Sequence, residues 1–167
     1  SRRAQATGAT TIRVVPLFLA KGVHVMDDIP AEIRQANQVL DGITIEVCAH
    51  VGSHSGLRKL LHRKRQAATA KGLLLLAHGS RRPGGNTSVN ALARSLGGRL
   101  AFWSVAPSLE SQVIQAMQDG IQQLAILPYF LFAGRTTDAI IQVTEELAER
   151  FPKLDIHLLP PIGPSAE

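Results

Sequence analysis

The sequence of 167 residues contains a single cysteine, few aromatic residues and no long apolar run. Because Cys48 has no second cysteine to pair with, no internal disulfide can form. We therefore expect a reducing compartment such as the cytoplasm. No apolar stretch approaches the roughly 18 residues that span a bilayer, so we expect no membrane partner. Aromatic residues do not interleave with the basic ones, so we expect no nucleic-acid partner either.

The sequence does contain enough apolar residues for a packed core, and it carries a positive net charge. Hydrophobic residues make up 45% of the chain, and a chain of about 150 residues hides roughly 68–70% of its unfolded surface on folding. The formal charge of +5 favours an anionic partner.

An internal duplication is visible in the sequence. Residues 8–22 align with residues 120–134 without a gap, at an offset of 112 positions. Glycine, proline, phenylalanine, leucine and glycine recur at matching places, and apolar positions match apolar positions. After short gaps, residues 43–52 align with residues 154–163 in the same way. A match of this length and pattern indicates a repeated structural unit.

The two copies are not equally complete. Residues 73–120 contain two predicted strands and two predicted helices whose counterparts in the first copy would lie mostly before Ser1. We therefore predict that residues 1–70 are the back half of a first repeat and that residues 71–167 are a second, nearly complete repeat. On this hypothesis the chain is a fragment that lacks the first half of repeat one. Its exposed sheet edge then favours association into a homo-oligomer.

Apolar runs and helical patterns alternate along the chain. Short apolar runs rich in branched residues predict strands, and the capped or amphipathic segments between them predict helices. This alternation predicts an α/β fold in which parallel sheets are flanked by helices. The run at residues 12–19 predicts a strand that is buried on both faces. The other predicted strands are residues 43–49, 73–77, 100–105, 124–132 and 154–158, and the predicted helices are residues 30–40, 57–70, 88–96, 109–120 and 137–150.

Ligands bind outside the carboxyl ends of parallel strands, so the loops that follow strands hold the candidate functional residues. The first such loop contains Lys21, His24, Asp27 and Asp28. An imidazole can ligate Fe²⁺, Co²⁺ or Ni²⁺ and can accept a proton near neutral pH, and neighbouring carboxylates can orient it or take protons. The alternative is a solvated histidine beside helix-capping aspartates, since Asp28 aligns with Asp138 ahead of a predicted helix in the second copy.

A second candidate loop follows the third predicted strand. His78 begins a His-Gly-Ser triplet in which the glycine allows a sharp exit from the strand, and Ser80 and the backbone after it can bind an anion. Arg81, Arg82 and Asn86 add donors for carboxylates. The alternative is a tight, well-capped turn with two exposed arginines.

Arg135 follows the fifth predicted strand and is a further candidate for binding an anion. The remaining histidines give weaker signals. The spacing of His50, His54 and His62 resembles a zinc site only loosely, and no cysteine pair accompanies them, so we expect surface histidines. We expect His157 to point outward from the last strand.

These motifs together resemble the CbiX-like sirohydrochlorin chelatases. The resemblance rests on His-Gly-Ser-Arg from His78, on Pro-Leu-Phe-Leu at residues 16–19, on Gly-Val-His-Val at residues 22–25 and on Asp-Ile-Pro at residues 28–30. Together with the duplication, the resemblance covers nearly all of the chain. The chain looks most like the long, two-repeat form found in cyanobacteria and plastids. The resemblance implies the duplicated architecture of the class II chelatases.

The resemblance implies a lyase-type chelatase that inserts Fe²⁺ or Co²⁺ into sirohydrochlorin, toward siroheme or cobalamin. The metal, with Ni²⁺ as a further option, is then a substrate, and no cofactor is expected to stay bound. His24 matches the histidine of the family's Gly-x-His motif and His78 that of His-Gly-Ser, so both are candidate metal ligands. Thr136 stands where the second copy would carry the Gly-x-His histidine, and Ser104 lies near the place of a glutamate often found in the family.

Within this hypothesis His24, Asp27 and Asp28 are the candidate catalytic residues. Sirohydrochlorin carries many carboxylates, so cations at the cleft edge would bind it, and its flat macrocycle needs an apolar slot. The candidate substrate-binding residues are Lys21, His78, Ser80, Arg81, Arg82 and Arg135, and the candidates for one wall of the slot are Leu17, Phe18, Val23 and Met26.

Two other functions stay open from the residues. A non-catalytic module that binds a tetrapyrrole or a metal would use the same cleft, and Thr136 and Ser104 favour it for the second copy. A hydrolase acting on phosphate or carboxylate compounds would be built on His78 and Ser80 and would need an acidic partner for His78. The spacing of the sequence indicates no such partner.

Overall fold

The computed structural model describes residues 8–22, 24–40 and 42–163. The chain forms two compact units, the first ending at Leu57 and the second beginning at Arg58. Each unit contains a parallel sheet with helices between its strands. The predicted α/β fold with parallel sheets flanked by helices is confirmed. In the part of the chain that the structure describes, no helix is both long and apolar enough to cross a membrane.

The first unit is built on a sheet of two strands. Strand β1, Thr11–Val14, pairs in parallel with β2, Thr44–Val47. Between them lie one π-helical turn, His24–Asp28, and helix α1, Ile29–Val39. Helix α2, Ser55–Ala67, begins in this unit and continues into the second.

Strand β1 is not buried on both faces, and the prediction from its apolar run is wrong on this point. Its residues alternate between exposed and half-buried, and α1 contributes no buried residue. The reason is that, among the residues described, β1 has one neighbouring strand, β2, and a two-stranded sheet offers helices little surface to cover. The strand also ends at Val14 instead of residue 19.

Over its described residues, up to 163, the second unit contains four strands and three further helices. The strands are β3 (Gly72–Ala77), β4 (Arg99–Phe102), β5 (Gln123–Pro128) and β6 (Asp155–Leu158), and the helices are α3 (Thr87–Ser95), α4 (Leu109–Gln118) and α5 (Arg135–Arg150). All strand pairs are parallel, in the order β4–β3–β5–β6.

The core of the second unit lies on both faces of its central strands. Every residue of β3 after Gly72 is buried, as is typical of a parallel strand that helices cover on both sides. Leu74 packs in one cluster with Val113 of α4 and Ile140 of α5. This packing fixes the carboxyl ends of the strands, and the loops with the candidate residues follow those ends.

The two units repeat the same strand pairing. Thr11 pairs with Thr44 in the first sheet and Gln123 pairs with Asp155 in the second. These are the positions that the duplication aligns, so the aligned residues of the two copies share one register. The division into a half repeat, residues 1–70, and a nearly complete repeat, residues 71–167, stays a prediction.

Candidate functional site

The loop after β1 is held along the carboxyl edge of the first sheet. The amide of Val51 donates to the carbonyl of Pro16 at 3.1 Å, and the amide of Gly52 donates to the carbonyl of Phe18 at 2.9 Å. The turn that follows β2 therefore holds the segment that leads to His24. Parallel sheets bind their ligands at this edge.

His24 is paired with Asp28. Nδ1 of His24 lies 2.7 Å from Oδ2 of Asp28, and the side chains are 71% and 54% exposed. The π-helical turn His24–Asp28 brings the two residues together, and such turns are frequent at functional sites. A carboxylate only accepts hydrogen bonds, so Nδ1 carries the hydrogen. The lone pair of Nε2 is then available to a metal ion or a proton.

The helix-capping alternative for Asp28 is wrong. Asp28 stands at the N-cap of α1, but its side chain makes no capping hydrogen bond because it contacts His24 instead. Asp138 does not precede a helix either, since it lies within the first turn of α5. That helix is capped by Thr137, whose hydroxyl donates to the carbonyl of Gly134 and accepts from its amide, both at 2.7 Å.

The ring of Phe18 stacks on the imidazole of His24. Their centroids are 5.9 Å apart and their planes are inclined by 29°. Leu17 and Met26, in the same loop and turn, are 60% and 50% exposed. Val23, the fourth residue predicted for an apolar wall, lies outside the described residues. Exposed apolar side chains around a histidine suit a flat organic ligand.

Lys21 and Asp27 are both exposed. Lys21 acts electrostatically on His50, which is only 7% exposed. The prediction that His50 is a surface histidine is therefore wrong, because the chain after β2 folds back against the loop after β1. Burial lowers the pKa of His50, and the charge of Lys21 lowers it further.

The lowered pKa of His50 predicts a pH-dependent stability of the first unit. The unfolded chain binds more protons than the folded one below the ordinary histidine pKa of about 6.5. The free energy of unfolding is therefore expected to fall as the pH drops from that value through the lowered folded-state pKa. Urea unfolding followed by NMR signals of the first unit at several pH values measures this slope. The slope should shrink in His50→Gln, and an unchanged slope contradicts the assignment.

The other histidines divide between exposed and half-buried positions. His54 is exposed, as predicted, and its Nδ1 accepts a hydrogen bond at 3.1 Å from the amide of Gly56 at the start of α2. His157 is exposed, as predicted, and its Nε2 lies 2.9 Å from Oδ2 of Asp155. His62 is half-buried, which departs from the surface position predicted for it.

In the second unit, His78 is exposed at the end of β3. Its carbonyl accepts hydrogen bonds from the amide and the hydroxyl of Ser104, at 2.9 and 2.8 Å. Ser104 therefore ties the loop after β4 to the His-Gly-Ser loop. Gly79 has a φ of +89°, and a Cβ there would lie 2.6 Å from Cγ2 of Val105, so the sharp exit from the strand requires glycine.

Asn86 closes the His-Gly-Ser loop. Its Oδ1 accepts from the amide of Ser80 and its Nδ2 donates to the carbonyl of Ser80, both at 2.9 Å. The sequence predicted Asn86 as a hydrogen-bond donor to a bound carboxylate, and this structural role was missed.

Arg81 and Arg82 are exposed. An open hollow of about 410 Å³ lies beside the loop, and its lining includes Arg82, Thr87, Asn90, Leu100, Phe102 and Pro107.

The donor groups do not form a closed metal site. Among the described residues, no three His, Cys, Asp or Glu side chains converge. His24 and Asp28 form a hydrogen-bonded pair in the first unit, while His78 and Arg135 are exposed after strands of the second. Structural metal sites surround the ion with four ligands, so an open pair suits an ion in transit. The roles of these residues stay predictions.

The parallel sheets flanked by helices form a chelatase-like α/β fold, as the likeness to a solved structure shows. The structure of SirB from Bacillus subtilis with Fe³⁺ matches with a TM-score of 0.80 and 25% identity, over 97% of this chain and 68% of SirB. The sequence model of CbiX matches residues 1–68 and 72–167. The chain belongs to the CbiX family, which confirms the resemblance found in its motifs.

Two curated relatives come from Priestia megaterium. The sirohydrochlorin ferrochelatase is 28% identical over 154 residues, covering 84% of this chain and 58% of the relative. The sirohydrochlorin cobaltochelatase is 24% identical over 162 residues, covering 87% and 52%. The chain thus spans about half the length of these relatives. A cobalamin biosynthesis CbiX protein from Marinobacter aquaeolei, described as putative, has a structure 28% identical with a TM-score of 0.51, covering 56% of this chain and 81% of that protein.

Proposed function

We propose that the chain is part of a sirohydrochlorin chelatase that inserts Fe²⁺ or Co²⁺ toward siroheme or cobalamin. The His24–Asp28 pair carries the proposal, because its imidazole is 71% exposed at the carboxyl edge of a parallel sheet. The names of the Priestia megaterium relatives and the Fe³⁺ in the SirB structure support the same chemistry. The metal is a substrate, for which Ni²⁺ is also a suitable ion since imidazole ligates all three.

Insertion exchanges two pyrrole protons for one divalent ion. Asp28 holds the hydrogen on Nδ1 of His24, so that Nε2 presents its lone pair to solvent. That nitrogen ligates the incoming ion or accepts a pyrrole proton, and the exposed carboxylate of Asp27 takes part in proton removal. An open pair of donors binds the ion weakly enough to release it to the macrocycle.

Exposed cations and apolar side chains supply the contacts to an anionic, flat substrate. Lys21 is exposed in the first unit, and Leu17 and Met26 present apolar surface there. In the second unit we assign carboxylate binding to the loops after β3 and β5, and a metal-binding role to His78. The residues of these second-unit loops are His78, Ser80, Arg81, Arg82 and Arg135.

The proposed protein has a half repeat, residues 1–70, followed by a nearly complete one, residues 71–167. The equal strand register of the two sheets supports this division. The half-exposed strand β1 supports a homo-oligomer as a further possibility for the assembly. The single cysteine supports a reducing compartment, the cytoplasm or a plastid stroma.

A non-catalytic binding module is the second candidate. Thr136 replaces the histidine in the second unit, and Ser104 makes a structural contact with the backbone of His78, so this unit favours binding over chemistry. The hydrolase is disfavoured, because no carboxylate contacts the side chain of His78 among the described residues.

Anaerobic absorbance spectroscopy separates the enzyme from the binding module. An excess of sirohydrochlorin is mixed with the full-length natural protein, first without metal and then with Co²⁺. A chelatase converts the whole excess into the metal complex. A spectral shift that stops at one equivalent of tetrapyrrole would establish the binding module and overturn the enzyme.

Asp28→Asn is expected to slow insertion by about 10–100-fold, the usual effect of removing the carboxylate behind a metal-binding histidine. The amide keeps the shape of the side chain but loses the charge that favours the hydrogen on Nδ1. Asp155→Asn is the matched control, since Asp155 makes the same kind of exposed pair with His157 at 2.9 Å. Steady-state rates of Co²⁺ insertion measure both variants, and equal rates would contradict the role of Asp28.

A further inference from the structure

We infer that Phe18 and Gly52 are positioning residues that hold the imidazole of His24 with Nε2 outward. The inference rests on the proposed function of His24. It adds two residues that position the imidazole for that function. Neither residue needs to touch the metal for this role. Phe18 acts on the ring of His24, and Gly52 acts on the backbone of Phe18.

Two contacts restrain the imidazole from different directions. Asp28 fixes its Nδ1 edge at 2.7 Å. Phe18 stacks beside the ring, with a centroid distance of 5.9 Å and an interplanar angle of 29°, a spacing within the range of favourable aromatic pairs. The side chain of His24 is nevertheless 71% exposed, so without these contacts its rotamer would be free. With them, the Nε2 edge is the one left for the metal.

Phe18 is in turn positioned through its backbone. The amide of Gly52 donates to the carbonyl of Phe18 at 2.9 Å. A Cβ on Gly52 would lie 1.8 Å from the carbonyl oxygen of Leu19, far inside contact distance. Any other residue at this position must therefore push the Phe18–Leu19 backbone away. Only glycine permits the close approach that places the Phe18 ring on His24.

The second unit repeats the backbone approach but not the stacked histidine. A Cβ on Gly163 would lie 1.8 Å from the carbonyl oxygen of Leu131, and the amide of Ile162 donates to the carbonyl of Phe130 at 2.8 Å. The ring of Phe130, however, packs against the core, and Thr136 takes the place of the histidine. Gly163 thus makes the same close approach to a backbone carbonyl as Gly52, although the amide that donates to Phe130 is that of Ile162, and it serves as the control position.

Phe18→Leu tests the inference by NMR and by kinetics. In the 167-residue chain, the ring protons of His24 should show a ring-current shift that disappears in the variant. In the full-length protein, kcat for Co²⁺ insertion should fall about tenfold, as misplaced catalytic groups do, while KM for sirohydrochlorin changes less than about twofold. Phe18→Trp should restore both the shift and most of the rate. Phe130→Leu should leave kcat within about twofold of wild type.

Three outcomes would overturn the inference. Absence of the ring-current shift in the wild-type chain would exclude the stacking. A rise in KM at unchanged kcat would make Phe18 a substrate contact instead. A loss of kcat that Phe18→Trp does not restore would point to general damage. If His24→Ala keeps the wild-type rate, the proposed function of His24 fails as well; if His24→Ala is inactive and Phe18→Leu keeps its kcat, only the positioning role fails.

Gly52→Ala tests the backbone part, with Gly163→Ala as its control. Both variants introduce the same collision, so both should lower the stability of their own unit. Gly52→Ala should also remove the ring-current shift of His24 and lower kcat, whereas Gly163→Ala should keep both. An equal loss of kcat in the two variants would contradict the assignment of Gly52. Should Gly52→Ala fail to fold, Phe18→Leu still decides the inference.

Discussion

His24→Ala is expected to lower the rate of metal insertion by about 10²–10⁴-fold. This is the usual loss of rate when a general base is removed, and we expect the same when the residue that passes the metal to the macrocycle is removed. The variant removes the one nitrogen, Nε2, that the pair with Asp28 leaves open at this edge of the sheet. Folding should be unaffected because the side chain is 71% exposed. The rate is measured by the absorbance change of sirohydrochlorin with Co²⁺, and folding by circular dichroism.

His157→Ala is the control for this variant. His157 is also exposed and also lies beside an aspartate, Asp155, but it stands on an edge strand of the second sheet. Its removal should leave insertion unchanged. Equal turnover by His24→Ala and wild type would remove His24 from the mechanism, whatever the effect of Asp28→Asn.

The second large effect concerns stability. Leu124→Ala should lower the free energy of unfolding of the second unit by about 3 kcal/mol, as for other buried leucines. Leu124 is 1% exposed and belongs to the core cluster. Its counterpart in the first copy, Ile12, is half-buried in a sheet of two strands. Ile12→Ala should therefore cost about 1 kcal/mol, since less apolar area returns to water.

Urea unfolding followed by NMR signals of each unit measures the two losses separately. The comparison tests whether the two copies, alike in sequence and register, differ in burial as the structure shows. Equal losses in the two variants would contradict that difference. A loss below about 1 kcal/mol for Leu124→Ala would contradict its place in the core.

The sequence predicted those features that depend on local pattern. The apolar run at residues 73–77 predicted a strand of a parallel sheet, and the structure places that strand in the core. The duplication predicted a repeated structural unit, and the aligned strands of the two copies pair in the same register in the structure. The glycine after His78 predicted the sharp exit from β3, and its φ of +89° agrees.

Contacts between residues distant in the sequence could not be predicted. The burial of His50 depends on the chain after β2 folding against the loop after β1, which no local pattern encodes. Asp28 has the sequence context of a helix cap, but the π-helical turn directs its carboxylate to His24. The hydrogen bonds of Asn86 to Ser80 and the stacking of Phe18 likewise depend on loop geometry.

The most direct test is the rate of anaerobic Co²⁺ insertion by the full-length natural protein, measured beside residues 1–167 alone. On the proposed division into a half repeat and a nearly complete one, many turnovers by the full-length protein and none by the shorter chain are the predicted result, because residues 1–167 span about half the length of the chelatase relatives. Equal turnover by both would contradict the half-repeat assignment. No turnover by either would contradict the chelatase itself.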